Sequence, residues 1–251
     1  MKIASFNVNS VRARLPNLLD WLATARPDIV FLQEIKVETE GFPAIEGYQA
    51  LVHGQKAYNG VAILSKMPLE KVSTTVLPGD EQARYLEARL GDLTLMNIYA
   101  PNGNPVESEK FPYKLRWLEA LYDRASALLA MEQKFLIGGD FNIIPEPKDC
   151  HNPAAWEGDA LFRPETRAKW RALTHLGLYD AFRVLHPEAP HAFTFWDYQA
   201  GCWPKDAGIR IDHFLLSPPV TDRLTACTID KAPRGLDKAS DHTPLILEIA
   251  S

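Results

Sequence analysis

The sequence predicts an α/β fold in which stacked sheets are flanked by a few helices. Short apolar runs of β-forming residues recur along the 251-residue chain, and segments of helical periodicity are few. No linker, low-complexity tract, long charge run or internal repeat divides it, so one domain over residues 1–251 is expected. In order, KIASF reads as a strand. Ser10 can N-cap a helix to about Ala25, with Val11, Leu15, Leu18, Leu19 and Leu22 as its apolar stripe; Pro16 makes the first turn irregular. DIVFLQ is apolar on both faces and belongs in a sheet interior. GVAILS is a third strand. RYLEARL and LTLMNIYA form a hairpin through Gly91-Asp92. From Glu107 to about Met131 the pattern is helical, with Pro112 implying a late or broken start. KFLIGG is another strand, and a short helix spans Glu165 to His175. AFTFW, IRIDHFLLS, LTACTI and TPLILEI, all strand-like, complete the chain.

Composition narrows the function classes. A hydrophobic fraction of 46% is ample for a core. No apolar stretch is long enough to span a bilayer, and MKIASFNVNS has no signal-peptide layout, so neither a membrane nor a secreted protein is expected. Cys150, Cys202 and Cys227 are odd in number, widely spaced and without a C-x-x-C pattern. They point to a reducing, cytoplasmic setting and away from a disulfide framework or structural zinc. A formal charge of −5 and a pI near 5.8 do not announce a nucleic-acid binder.

LIGGDFNIIP, residues 136–145, raises the functional question. An apolar run reaches two glycines and presents Asp140 and, two residues on, Asn142, before Pro145 breaks the chain. Turn chemistry alone explains such residues. The other strand ends repeat the pattern with residues a turn does not need. KIASF ends in Asn7, and DIVFLQ in Glu34 followed by Lys36. LTLMNI ends in Tyr99 with Asn102 beyond, IRI leads to Asp212, and Asp241-His242 precede TPLILEI. If they converge, Glu34, Asp140, Asp212 and Asp241 repel one another unless a cation or proton lies between them. Carboxylate and amide oxygens with few nitrogens and no thiolate suit Mg²⁺ or Mn²⁺ rather than Zn²⁺. Such a cation polarises phosphoryl oxygens and offsets the charge of phosphoryl transfer. His242 can form an Asp–His pair in which the carboxylate fixes the imidazole. With no G-x-S-x-G elbow and no Walker A loop, hydrolysis by water fits better than a serine acyl-enzyme or nucleotide triphosphate chemistry.

SFNVNS, LQEIK, NIYAPNG, GGDFNI, IRIDHFLLS and SDHTPL, in this order from residue 5 to 245, resemble the motifs of the exonuclease III / apurinic endonuclease family. That family lies within the endonuclease/exonuclease/phosphatase superfamily. The resemblance implies a four-layer α/β sandwich, two packed mixed β-sheets flanked by helices, with the site at one end. It implies Glu34 as principal metal ligand, supported by Asn7 and Asp241, with Asp140 and Asn142 also in the metal set. Asp140 would orient and deprotonate the attacking water, and Asn142 would hydrogen-bond the same phosphate. Tyr99 would lie near that phosphate, and Asp212 would orient His242. His242 is either the general base or a cationic clamp on a non-bridging oxygen; the clamp is favoured, because it leaves Asp140 as base. Lys36 and Asn102 would contact substrate. The products would be a 3′-hydroxyl and a 5′-phosphate.

The superfamily also includes secreted nucleases, sphingomyelinases and inositol-polyphosphate phosphatases, so the metal set does not name the substrate. TFWDYQAGCWPKDAGIRID places Phe195, Trp196, Tyr198 and Trp203 shortly before Asp212. These aromatics read as core, Trp196 above all, or as a surface for stacking or wedging into DNA. By resemblance, Phe195, Ile209 and Ile211 form the pocket for a flipped-out abasic sugar. Ile209 stands where the animal branch carries Trp, which makes the pocket more aliphatic. Basic residues cluster at Lys110, Lys114 and Arg116, at Arg163, Arg167, Lys169 and Arg171, and at Lys56, Lys231, Arg234 and Lys238. Each cluster reads as a solvated face or as a set of transient backbone contacts. The expectation is a monomeric Mg²⁺-dependent DNA repair nuclease acting on duplex DNA with abasic sites or blocked or recessed 3′ ends. Its activities would be apurinic/apyrimidinic endonuclease, 3′–5′ exonuclease and 3′-phosphodiesterase/phosphatase. The rivals are a small-molecule or lipid phosphoesterase and a catalytically inactive DNA-binding scaffold. The scaffold would require loss of a key group, and none of the set is missing.

Overall fold

In the computed structural model, which describes residues 1–250, the apolar runs become twelve strands. They are β1 (Lys2–Asn7), β2 (Ile29–Gln33), β3 (Gln49–His53), β4 (Val61–Ser65), β5 (Glu70–Ser73) and β6 (Tyr85–Leu90). Then follow β7 (Leu93–Tyr99), β8 (Lys134–Asp140), β9 (Tyr179–Asp180), β10 (Asp212–Leu216), β11 (Leu224–Ile229) and β12 (Leu245–Ile249). The helices are α1 (Leu15–Ala25), α2 (Lys110–Ala130), α3 (Pro164–His175), α4 (Ala181–Leu185) and α5 (Pro218–Thr221). The strands form two six-stranded sheets, β3-β4-β2-β1-β12-β11 and β5-β6-β7-β8-β10-β9. Each sheet has one parallel pair at its centre, β1 with β2 and β7 with β8, and every other pairing is antiparallel. The two sheets thus share one pattern of strand directions, although no repeat is legible in the sequence.

Strand alternation explains the layers. Ile3, Phe31 and Ile63 of the first sheet face Leu95, Leu136 and Phe214 of the second. The residues between them point outward: α1 lays Leu18, Trp21 and Leu22 on Ala4, Val30 and Leu64. On the far side, α2 and α3 lay Trp117, Leu121 and Trp170 on Ile98, Ile137 and Leu215. Each such burial is worth roughly 1.5–3 kcal/mol. A helix cap adds about 1 kcal/mol, and neither α1 nor α2 has a side-chain cap. Apolar burial therefore holds the four layers together, and the architecture is the expected α/β sandwich.

One polar bridge crosses the apolar seam between the sheets. Gln33 Nε2 donates to Asn97 Oδ1 at 2.7 Å, and Asn97 Nδ2 donates to the carbonyls of Leu32 and Ala62 at 3.0 and 2.8 Å. Both side chains are fully buried; these bonds satisfy the Asn97 amide, and Ser5 Oγ completes the Gln33 amide.

The structure departs from the sequence expectations at a few points. The first helix begins at Leu15 rather than Ser10, because Pro16 fits only a first turn. Ser10 and Val11 instead donate their N–H groups to the carbonyls of Glu34 and Ile35. AFTFW is not a strand: Phe195 makes single bridges to Ile209 and His242, and its segment crosses from one sheet to the other. Strands β3 and β5 carry no long apolar run because both are half-exposed sheet edges.

Candidate active site

The C-terminal ends of the two central parallel pairs meet, and the site is built there. Strand β1 delivers Asn7, β2 delivers Glu34 just past Gln33, β7 delivers Tyr99, and β8 delivers Asp140. Backbone geometry sets two of these positions. Glu34 (φ 49°) and Asn142 (φ 50°) both take left-handed backbone, a conformation uncommon for Glu that a functional constraint can impose. The glycines before Asp140 are required. At Gly139 (φ 144°) a Cβ would overlap the Ile98 carbonyl, and at Gly138 it would strike the Phe214 ring. Without side chains there, β8 can lie close to β7 and to Phe214.

Asn7 Nδ2 donates to Glu34 Oε1 at 2.9 Å and to Asp140 Oδ2 at 3.0 Å, while its Oδ1 accepts from the Asn9 N–H at 3.1 Å. Asn7 therefore joins the two carboxylates as a donor. Lys36 Nζ lies 2.9 Å from Glu34 Oε2 and donates to Asn9 Oδ1 at 2.6 Å. Asp241 Oδ1 accepts from Asn9 Nδ2 at 3.1 Å and from Ser240 Oγ at 3.3 Å. His242 Nδ1 donates to Asp212 Oδ2 at 2.8 Å, and its Nε2 lies 3.7 Å from Asp140 Oδ2. Asp212 Oδ1 is buried with no donor. The Asn142 N–H donates to Asp140 Oδ1 at 2.9 Å, and Asn142 Oδ1 accepts from Asn102 Nδ2 at 3.2 Å.

The charges of this cluster shift one another. Burial raises the Asp140 carboxyl to about 7, with Asp212 and Glu34 adding to the rise against His242 and the Asn142 amide. Burial alone would lower His242, but Asp212 and Asp140 outweigh it and raise the imidazole to about 10, so it is protonated at neutral pH. Burial would also raise Glu34; the Asn7 hydrogen bond and the Lys36 charge turn the net shift downward. Burial, Glu34 and Asp140 push the Tyr99 phenol well above its ordinary value, which keeps it a proton donor.

Glu34, Asp140 and His242 offer ligand atoms within 4.8 Å of one another. Around them, the four carboxylates Glu34, Asp140, Asp212 and Asp241 have two ion-pair partners, His242 and Lys36. Excess negative charge, oxygen donors and no thiolate fit a hard divalent cation. Glu34, Asp140 and Asp241 all line a cavity of about 330 Å³ with Tyr99, Asn142 and His242.

Most residues singled out in the sequence gather here, and a few do not. Asn102, Phe195 and Ile211 line the cavity. Lys36 pairs with Glu34 and does not line the cavity. Trp196, expected as core or as a substrate contact, is core: it is fully buried away from the cavity, and its indole Nε1 donates to Asp206 Oδ1 at 3.1 Å. Ile209 lines a neighbouring hollow of about 250 Å³ on the far side of Phe195 and Trp156. Lys114 is no surface cation. It is fully buried, donates to the carbonyls of Asn102 and Asn142 at 2.9 and 2.6 Å, and burial lowers its ammonium to about 7. Sequence reading missed Trp156, Asp159 and Asp197, which line the cavity from loops without a strand-end signature. It also missed Asn9, whose spacing of two from Asn7 repeats that of Asn142 from Asp140 and was available as a signal.

Comparison with known proteins identifies the family. Residues 4–242 match the Endonuclease/Exonuclease/phosphatase family. Exodeoxyribonuclease III of Haemophilus influenzae is 35% identical over 272 residues, covering 99% of each chain. An AP endonuclease from Archaeoglobus fulgidus superposes with a TM-score of 0.94 at 36% identity, over 100% of both chains. NExo, a 3′ phosphatase from Neisseria solved bound to a product DNA hairpin, gives 0.94 at 35% identity, again over 100% of both. With two mixed sheets ending in this carboxylate cluster, the chain belongs to the endonuclease/exonuclease/phosphatase family, among its exodeoxyribonuclease III and AP endonuclease relatives.

Proposed function

We propose that the chain is a DNA repair nuclease of the exonuclease III type. It hydrolyses phosphodiesters of duplex DNA at abasic sites and at blocked or recessed 3′ ends, working as a monomer and one domain with Mg²⁺, for which Mn²⁺ can substitute. One observation carries the reading: Glu34, Asp140 and the Asp212–His242 pair converge on one cavity whose negative charge exceeds its positive charge. The relatives named as nucleases and as a DNA-bound 3′ phosphatase support the choice of DNA. Three free cysteines, and the lack among the described residues of a helix able to cross a membrane, fit work in the cytoplasm.

Each side chain then takes a role. Glu34 holds the cation, with Asp241 on the same wall and Asn7 bracing Glu34 against Asp140. A divalent cation held there would supply polarisation of the phosphoryl oxygen and would offset the charge that develops on it. Asp140 aligns water and takes its proton, a task suited to a carboxyl raised to about 7. His242, held protonated by Asp212, clamps a non-bridging oxygen. Tyr99 and Asn142 donate to the same phosphate, while Phe195 and Ile211 wall the space for a bare deoxyribose.

The test is cleavage of labelled duplexes carrying an abasic site, a 3′-phosphate or a plain recessed end, with Mg²⁺ and with EDTA. Metal-dependent cutting that leaves 3′-hydroxyl ends is expected. Hydrolysis of soluble phosphoesters with indifference to DNA would instead favour the small-molecule or lipid phosphoesterase.

A further inference from the structure

A second cavity, of about 400 Å³, adjoins the candidate site. Arg14, Arg234 and Lys238 line it with Tyr198, and no carboxylate does. Among the described residues, none of these three cations has an ion-pair partner. The larger cleft beside α3 differs, because its Arg183 and Arg210 are neutralised by Asp149 and Asp180.

Arg234 is the informative residue. It is 7% exposed, and its guanidinium donates to the Trp196 carbonyl at 2.9 Å. Its Nε is buried without a partner, as is the Nε of Arg14. The Tyr198 and Trp203 rings lie 5.4 and 5.5 Å from the Arg234 guanidinium carbon. Ring faces attract a cation but replace only part of the hydration that burial removes. Arg14 Nη2 donates to Tyr198 Oη at 3.0 Å, which ties two walls of the cavity together. Two guanidinium groups and an ammonium together fit a tetrahedral oxyanion.

The cavity is next to the chemistry. A single side chain, Asn9, donates to Tyr198 Oη at 3.3 Å and to Asp241 Oδ1 at 3.1 Å, spanning the gap between the two cavities. We propose that Arg14, Arg234 and Lys238 hold a backbone phosphate neighbouring the one that is cut, and so fix the register of the DNA strand in the site. The proposal rests on the nuclease reading above. It also explains how a chain of net charge −5 grips a polyanion: the grip is local.

The test places an uncharged methylphosphonate, one position at a time, on either side of the scissile phosphate of an abasic-site duplex. Kd is measured in EDTA at several salt concentrations for the wild type, Arg14→Gln and Lys238→Gln, two sites less buried than Arg234. For the wild type, one position within two nucleotides of the scissile phosphate should cost about tenfold and reduce the salt slope by about one. In either variant the same replacement should cost little further, because the charge it removes has already lost its partner. Losses that multiply at every position, with an unchanged salt slope, overturn the proposal. A wild type that cuts the duplex in Mg²⁺ but responds alike to every methylphosphonate overturns the subsite alone. One that neither binds nor cuts the unmodified duplex overturns the nuclease reading and the subsite together.

Discussion

Two buried charge clusters lie on either side of Ile211, and they are finished differently. In one, Arg210 bonds Asp149 at 2.6 Å and Asp180 at 2.8 Å, and Arg183 bonds Asp149 at 2.6 Å. Two guanidinium groups meet two carboxylates, and the account closes. Burial would raise Asp149, but Arg210 and Arg183 lower it to about 2. Burial and the Arg210 charge lower His213 to about 4, which leaves it neutral. In the other cluster, Glu34, Asp140, Asp212 and Asp241 have only His242 and Lys36 as ion-pair partners, and burial leaves the Asp140 carboxyl at about 7. The charges of the first cluster balance within the chain. The second keeps an excess of negative charge, which a proton on Asp140 or a bound cation offsets. Buried charge thus marks function less by its presence than by its imbalance.

The comparison breaks most visibly at Asp140. Asp140→Asn should lower the cleavage rate by about 10²–10⁴-fold, through loss of the aligned, proton-accepting carboxylate. The same change should raise the melting temperature of the metal-free protein at pH 8. A carboxyl raised to about 7 lends stability below its ordinary range and loses it as the pH rises through 7, so at pH 8 its removal is a relief. A metal-free variant that melts below the wild type would show that the cluster is not strained by its own charge.

Arg210→Met should do the reverse. It strands Asp180 and half of the Asp149 pairing in the interior and should cost about 3–5 kcal/mol in urea unfolding. Its kcat, measured well below the transition, should fall far less than that of Asp140→Asn. Unchanged stability would mean the network is not the closed unit described.

The smallest effect concerns His213. Its folded pKa of about 4 lies below the ordinary 6.5, so its contribution is full above 6.5 and is lost as the pH falls through 4. The loss is on the order of 3 kcal/mol. Urea midpoints at pH 7 and pH 4.5 should differ, and His213→Gln should flatten that difference. An acid limb of equal steepness in the variant would assign it to other groups.

Much of this was legible because strand ends are where a sheet exposes what it carries. Asn7, Glu34, Tyr99, Asp140 and Asp212 each adjoin an apolar run, and the runs mark the layers. The unreadable part depended on contacts between distant segments. Lys114 sits in a helical pattern that looks solvated, yet the carbonyls that bury it come from Asn102 and Asn142. AFTFW has strand composition because Phe193 and Trp196 are core, while Phe195 is held between Ile209 and His242 rather than in a ladder. Trp156 and Asp159 reach the cavity from a loop whose course no local periodicity records.

The Gln33–Asn97 amide bridge gives the site a mechanical character. It lies one residue behind Glu34 on one sheet and two behind Tyr99 on the other, so the sandwich acts as a vise whose jaws are set from behind. A slip of one sheet past the other by a single residue moves the jaws about 3.3 Å, whereas ligand distances tolerate about 0.2 Å. Apolar faces alone resist sliding poorly, since one Leu or Ile contact resembles the next. A directional bond between two buried amides has one position of rest, and the jaw opening is gauged in the dry interior before any ion or strand arrives at the mouth.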